Sequence, residues 1–478
     1  MKAGWYLSVI LQIVSALNVG CTSEKALRTD AKAPNVFENQ ADKSRAAWPG
    51  KEWYRGFGSD QLNTLIEQAA SNNWDLAGAR ARVAQADARA RAAGAAILPS
   101  VDAAGNANFL AGHSSSGSGH ETDWSALLSA SYEVDFWGKN RATANSAKFQ
   151  AAASRAQRDT LALTTLAGVA DGYFQVLALR ERLTIARSNL EAARGLLAVV
   201  QARYDAGSAS PVELASQKSA LSAAALVIPE LQQQEVEARA ALALLTGRVP
   251  EGFDLEQRAL DSLTEPVVAP GLPSELLTRR PDVFAVEAGL QSAHADLAAA
   301  RAAMLPSVNL TAAAGLQNPA LNAAVLTIPG TGSTLALTGT LAQVIFDHGR
   351  LEAQRAEVQA KQEELLAAYR TAIVAALMDV ENALSGIQHL DAARQFQTES
   401  LMQSERAFDG AKLRYQAGSS DYLTLLEAQR TLYGARDQFV QYKLARLQAL
   451  VGLCKALGGG WMQSAPAAAS VTQVGNNR

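Results

Sequence analysis

The sequence is poor in the residues that build chemical sites. Its 478 residues include 2 Cys, 5 His and 6% aromatic residues, and the net charge is −3. Two cysteines exclude a disulfide framework, and a nearly neutral chain does not suit nucleic acid. The sequence has no phosphate-binding loop and no nucleophile with a paired base, so we expect no enzymatic activity and no cofactor. The histidines are scattered. His113 and His120 lie beside Glu121 in a Gly- and Ser-rich segment, which favours solvated side chains over a metal site.

Proline is missing from two long stretches, residues 139–203 and 348–415. At about 1.5 Å per residue, each stretch predicts a helix on the order of 100 Å long. In the second stretch the apolar residues recur every three or four positions, as in a coiled-coil seam: Leu366, Tyr369, Ile373, Leu377, Val380, Leu384 and Ile387. Such helices exceed the thickness of a bilayer and carry charges throughout. They are therefore predicted to project into an aqueous compartment.

Both long stretches end in the same kind of turn. Arg-Tyr, one further residue and Ala-Gly-Ser occur at 203–208 and again at 414–419. Glycine fits the left-handed position that follows a helix, and Ser210 and Asp421 fit the N-caps of helices that return antiparallel. Glu213, three residues after Ser210, completes a capping box.

The turns belong to a longer internal repeat. Leu-Pro-Ser-Val at 98–101 recurs at 305–308, in the same order relative to the turns. This pattern predicts a tandem duplication of residues 60–250 and 273–458, joined by a linker at 251–272.

After each Leu-Pro-Ser-Val motif the apolar period changes from helical to alternating. Strand pairs are predicted at about 99–135, around a loop at Gly112–Thr122, and at about 306–346. Helices are predicted over about 60–98, 139–246, 274–305 and 348–457. Strands of about ten residues suit an outer-membrane barrel. Four strands in one chain cannot close a barrel without exposing an edge to lipid. Three chains would give roughly 12 strands, whereas two would give about eight, a barrel that side chains fill.

The N-terminus is typical of a secretory signal at residues 1–20, too short for a membrane span. Gly20 precedes Cys21, which is predicted to become the lipidated N-terminus. Asn18 departs from the usual leucine of such sites, so an ordinary signal peptide with an incidental cysteine stays an alternative. The other terminal segments are predicted to be 21–59, extended and held by Trp48, Trp53 and Phe57, and 459–478, a flexible tail.

Five short motifs point to one family. They are Trp53–Phe57 with Leu62, Leu65 and Ile66; Ala79–Val83 with Ala86; Ile97–Val101; Leu277 with Arg279–Val283; and Tyr422–Arg430. Over nearly all of the mature chain, these motifs resemble the TolC-like outer membrane efflux family. Within it they resemble the lipoprotein channels of resistance-nodulation-division (RND) tripartite pumps. The resemblance implies an α+β membrane protein: a trimeric, roughly 12-stranded outer-membrane β-barrel continued by a long α-helical coiled-coil tunnel through the periplasm.

The resemblance also implies a passive efflux channel for drugs or other small toxic compounds, gated by an iris of helix ends. Glu427 matches the acidic residue of the constriction and Leu423 the apolar ring beside it. Taken alone, Glu427 is an ordinary solvated carboxylate. Tyr415 and Glu213 match a latch between the helix pairs, and Glu213 fits its capping box equally well. Ser420 stands where some relatives have arginine, so we expect a thinner latch.

The turn residues Gly207, Ser208, Gly418 and Ser419 match the contact with a periplasmic membrane-fusion adaptor, although positive φ alone would explain both glycines. The implied partners are two further copies of the chain in a homotrimer, that adaptor, an inner membrane RND transporter and outer membrane lipid. No nucleic acid and no bound metal are expected.

Other functions stay open at this point. The chain could be the outer membrane channel of a metal-ion or protein exporter, although 5 Met and 5 His do not suggest a metal relay. From another class, a non-conducting trimeric structural lipoprotein would explain the long helices, but not the matching amphipathic strands. The sequence does not identify the exported compound.

Overall fold

A computed structural model describes residues 36–38, 48–114, 117–256, 259–268, 270–317, 326–327 and 333–462. The predicted signal peptide, Cys21 and all but four residues of the predicted tail at 459–478 lie outside the described residues.

The described structure begins with aromatic side chains packed into the protein. Trp53 and Phe57, in a 3₁₀ turn at Trp53–Phe57, are buried. Two helices follow, α1 (Asp60–Asn72) and α2 (Trp74–Ala95). The side chains of Ser59 and Asn73 cap them by accepting hydrogen bonds from backbone N–H groups of the first turn.

Each half of the chain then forms strands and a long helical hairpin. The first half contains β1 (Ser100–Ser114), β2 (Gly117–Glu133), α3 (Lys139–Asp205) and α4 (Pro211–Leu245). The second half contains α5 (Pro273–Arg279), α6 (Pro281–Ala302), β3 (Ser307–Gln317), β4 (Leu326–Thr327), β5 (Ser333–Ala342), α7 (Arg350–Gln416) and α8 (Tyr422–Ala456). Both long helices have 67 residues and both return helices have 35.

The strands form one antiparallel sheet in the order β1-β2-β3-β5-β4. Gly315 of β3 allows close pairing with β2, because a Cβ at this position would lie 2.3 Å from the carbonyl oxygen of Ala126. Among the described residues, β1 pairs on one side only, and the outer side of β5 meets only the two-residue β4. The sheet of this chain therefore has two largely open edges.

The predicted loop at Gly112–Thr122 is wrong. β1 continues to Ser114 and β2 begins at Gly117, and the ladder pairs His113 with Ser118 and Ala111 with His120. Small and polar residues had removed the alternating apolar pattern, but backbone hydrogen bonding between strands does not require that pattern. The histidines proposed to lie in a loop therefore belong to paired strands. The short strand β4 was also not predicted.

The helices pack side by side: α3 contacts α2, α4, α6 and α8, and α7 contacts α6 and α8. The largest core lies at the middle of α3, where apolar side chains meet others from α1, from the end of α4 and from α8. Its fully buried members include Phe57, Leu62, Val169, Tyr173, Phe174, Leu177, Leu242 and Val451. An 18-residue window of α3 is apolar enough to cross a membrane, but 50% of it is buried inside the chain. This core accounts for that composition.

The Arg-Arg-Pro-Asp motif joins three helices near this level. Arg280, at the start of α6, donates to the carboxylates of Asp282 at 2.6 Å and Asp379 of α7 at 2.9 Å, and to the carbonyl oxygen of Ala456 at 3.2 Å. Burial raises the pKa of Asp282, but the hydrogen bond and charge of Arg280 outweigh it, so this pKa is lowered. The motif is a structural tie between α6, α7 and α8.

Candidate functional site at the helix turns

Two tight turns end the helical hairpins, far from the sheet. Gly207, between α3 and α4, has φ 73°, and Gly418, between α7 and α8, has φ 75°. The N–H of Ser208 donates to the Arg203 carbonyl at 2.8 Å, and the N–H of Ser419 donates to the Arg414 carbonyl at 2.9 Å. Both turns thus satisfy the last carbonyl groups of a long helix in the same way.

The return helices begin at side-chain caps. Ser210 accepts a hydrogen bond from the N–H of Glu213, whose carboxylate contacts the N–H of Ser210 at 3.5 Å. Asp421 accepts hydrogen bonds from the N–H and hydroxyl of Thr424, at 2.8 and 3.0 Å, and these bonds lower the pKa of Asp421. Each turn is therefore closed on both sides by local hydrogen bonds.

The two hairpins are joined by Tyr415 and Glu213. The Tyr415 hydroxyl donates to Oε2 of Glu213 at 3.1 Å, while Oε1 of the same carboxylate serves the capping box. The carboxylate of Glu213 thus makes its capping-box contact and a hydrogen bond to the other hairpin at the same time. Tyr415 is 1% exposed. Its burial raises the pKa of Tyr415, and the hydrogen bond and charge of Glu213 raise it further.

Sequence reasoning did not identify Arg203 as part of this site. Its Nη1 donates to the carbonyl oxygen of Tyr415 at 2.5 Å, and its guanidinium lies over the Tyr415 ring, 4.5 Å from the centre. The thinner latch was expected because Ser420 replaces an arginine. That expectation did not consider Arg203, which the other hairpin supplies. Arg203 occupies the same place in the repeated turn motif as Arg414, a signal that could have drawn attention to it.

Tyr422 and Gln217 make a second connection that was not predicted. The Tyr422 hydroxyl donates to Oε1 of Gln217 at 2.9 Å. Nε2 of Gln217 donates to the carbonyl oxygen of Ala193 in α3, at 3.2 Å. Burial raises the pKa of Tyr422 to about 12, and the nearby Tyr415 contributes to the same direction. Tyr422 is therefore protonated and able to donate at any physiological pH.

Leu423 and Glu427 lie one helical turn apart on an exposed face of α8. Leu423 is 72% exposed, and Glu427 makes no ion pair within the part of the chain that the structure describes. Both border a shallow groove between α7 and α8 that is otherwise lined by small and polar residues: Ser400, Gln403, Ser404, Ala407, Thr424, Ala428 and Thr431. An apolar and an acidic side chain are thus both exposed on this face of the single chain. Across the described ranges, no group of three or more His, Cys, Asp or Glu residues could hold a metal ion.

The fold defines a class of membrane channel. The chain is similar to the solved outer-membrane channel OprN, with a TM-score of 0.82 and 27% identity, over 92% of this chain and 100% of that one. It is 44% identical over 463 residues to the pyoverdine export outer membrane protein OpmQ of Pseudomonas aeruginosa, covering 94% of this chain and 97% of OpmQ. It is 28% identical over 432 residues to the cation efflux system protein CusC of Escherichia coli O6:H1, covering 90% and 92%.

The sequence profile named outer membrane efflux protein matches residues 65–248 and 272–459. The chain therefore belongs to the outer membrane efflux protein family. The predicted resemblance is confirmed, and so are the location in the outer membrane and the extension into the periplasm. The chain is an outer membrane efflux channel, and its family is one of channel proteins rather than enzymes.

Proposed function

We propose that this chain forms the outer membrane duct of a tripartite efflux pump, which a closed ring of helix turns seals at its periplasmic end. The observation that supports the proposed gate is the hydrogen bond between Tyr415 and Glu213, which are 202 residues apart in sequence. It fastens α7 to α4 at the turns, where separation of the hairpins would widen an opening.

The open sheet edges support a homotrimer. Unpaired N–H and C=O groups of β1 and β5 cannot face lipid, because no water is present there to satisfy them. Joining β5 of one copy to β1 of the next satisfies both edges. Leaving out the two-residue β4, three copies of the four long strands give a barrel of roughly 12 strands, wide enough to conduct. Lipidation of Cys21 would add an anchor beside the barrel.

In such a trimer, the exposed face of α8 would contribute to the constriction. Three copies of Glu427 around one axis would attract cations to the narrowest point, and three copies of Leu423 would form an apolar ring one turn away. Mutual repulsion of the carboxylates would oppose closure, and the latch contacts would hold it.

The relatives support a proposal for the cargo and partners. The 44% identity to a pyoverdine export protein supports the export of a compound such as pyoverdine. Drugs, which the family resemblance implies, are proposed as further cargo. A periplasmic adaptor would meet the turns at Gly207, Ser208, Gly418 and Ser419, and an RND transporter in the inner membrane would supply the energy. The 28% identity to a cation efflux protein keeps metal-ion export as a second candidate.

Single-channel recording in planar bilayers tests the gate. The purified wild type should conduct weakly and prefer cations, Glu427→Gln should weaken that preference, and Tyr415→Phe should raise the conductance. A trimer that inserts but never conducts, in the wild type or either variant, would leave a structural lipoprotein as the better account.

Cargo is tested separately. The chain, expressed in Pseudomonas aeruginosa lacking OpmQ, should restore pyoverdine in the medium. If the channel conducts in bilayers but pyoverdine stays in the cells, the cargo assignment is wrong and the channel assignment stands. In that case, restored cation tolerance in Escherichia coli lacking CusC would favour metal-ion export.

A further inference from the structure

The contacts between the hairpins have a regular arrangement. Tyr415 and Tyr422 flank the turn between α7 and α8, at the last and first turns of these helices. Their partners Glu213 and Gln217 lie four residues apart on α4, one helical turn from each other. The two tyrosine rings meet edge to face, with centres 6.1 Å apart. Two of the hydrogen bonds that join the hairpins thus start from tyrosines beside one turn, and one goes to a carboxylate and the other to a neutral amide.

We propose that the Tyr422–Gln217 hydrogen bond is a second, uncharged element of the latch, which holds the turns together when the Glu213 contact is weakened. This inference rests on the proposed gate. It assigns a gating role to Tyr422 and Gln217, which act by positioning α8 against α4.

The amide has only one way to bind Tyr422. Gln217 is 0% exposed, and its Nε2 is already committed to the carbonyl oxygen of Ala193. Oε1 must therefore face Tyr422 as an acceptor, and the hydroxyl must donate. Neither partner is charged, so this bond is insensitive to salt, whereas the Glu213 carboxylate is only partly buried and is reached by counter-ions.

Opening the hairpins would expose both polar groups to water together. Removing only the hydroxyl is different, because it leaves Oε1 of Gln217 buried without a donor in the closed state. Such an orphaned acceptor is expected to shift the equilibrium toward opening on the order of tenfold per subunit.

The test is single-channel recording on the full chain, purified as the oligomer, with Tyr422→Phe, Tyr415→Phe and the double variant. The matched control is Tyr204→Phe. Tyr204 precedes the other turn, is 38% exposed, and its hydroxyl has no hydrogen bond within the described structure. Tyr422→Phe should raise the open-to-closed ratio about tenfold per subunit, at low and at high KCl. Tyr204→Phe should leave this ratio unchanged, and the double variant should open more than either single variant.

The result that overturns the inference is a folded Tyr422→Phe oligomer that gates as the wild type does, while Tyr415→Phe opens. If Tyr422→Phe does not assemble, Tyr422→Phe with Gln217→Met removes both polar ends without an orphan. Opening of that pair supports the inference, and wild-type gating overturns it. If Tyr415→Phe has no effect either, the proposed gate itself fails, and the inference fails with it.

Discussion

Asp171 offers a direct test of the core described above. It lies in the middle of α3, and its Oδ1 is buried with no hydrogen-bond partner in the described part of the chain. Burial raises the pKa of Asp171 from 3.8 to about 6, and the charge of Lys455 opposes this only in part. The ionised carboxylate of Asp171 therefore lowers the free energy of unfolding at neutral pH.

The magnitude follows from proton linkage. A rise of roughly two pKa units, at about 1.4 kcal/mol each, corresponds to about 3 kcal/mol. The pKa of Asp171 is higher in the folded than in the unfolded state. Asp171 therefore costs no stability below about pH 4, and the free energy of unfolding declines as pH rises through about 6. Asp171→Asn removes the charge while keeping the shape, and should stabilise each subunit by about 3 kcal/mol at neutral pH.

Thermal unfolding followed by circular dichroism measures this difference. Asp171→Asn should unfold at a higher temperature than the wild type at pH 7.5, and the advantage should disappear near pH 4, where both side chains are neutral. Asp159→Asn is the matched control on the same helix. Its carboxylate accepts from Trp461 Nε1 at 3.0 Å and from Arg158 at 2.5 Å, so its loss should destabilise. A lower unfolding temperature for Asp171→Asn at pH 7.5 would refute the reasoning, since it would mean that Lys455 compensates the buried charge.

Three further predictions concern local contacts, each measured by thermal unfolding. Arg280→Ala leaves two carboxylates without their shared partner and should cost about 3 kcal/mol, whereas Arg279→Ala, which removes a stacking contact with Trp48, should cost less. Gly418→Ala forces a side chain into positive φ and should cost about 1 kcal/mol; Gly410→Ala, where an added Cβ meets open space inside α7, should stabilise by up to about 1 kcal/mol. Ser210→Ala should cost about 1 kcal/mol by removing the cap of α4, and channel conductance should not change, because Tyr415 still reaches Glu213.

Features that depend on neighbouring residues could be predicted from the sequence. The long helices followed from missing proline, and the turns at Gly207 and Gly418 from glycine beside an N-cap residue. The loop wrongly predicted at Gly112–Thr122 also rested on neighbouring residues, because the local composition suggested a loop. Pairing with the opposite strand makes this segment part of a ladder.

Contacts between distant parts of the chain could not be predicted in this way. Glu213 and Tyr415 were paired only through the family resemblance, and the Tyr422–Gln217 bond joins residues 205 apart without any local signal. From sequence alone, a glutamine inside a helix is expected to be solvated. Gln217 becomes informative only in the folded chain, where it is 0% exposed and bonds to Ala193 of α3 and Tyr422 of α8.

The two proposed elements of the latch cannot act independently. Glu213 and Gln217 are fixed on one helix turn of α4, and Tyr415 and Tyr422 are fixed by the short turn that joins α7 to α8. A rotation of the second hairpin large enough to break one bond therefore strains the other. Glu213 also closes its own turn through the capping box, so its carboxylate is already oriented before Tyr415 arrives. Local capping thus prepares the contact, and in the proposed gate the rigid turns would make the two bonds break together within each subunit.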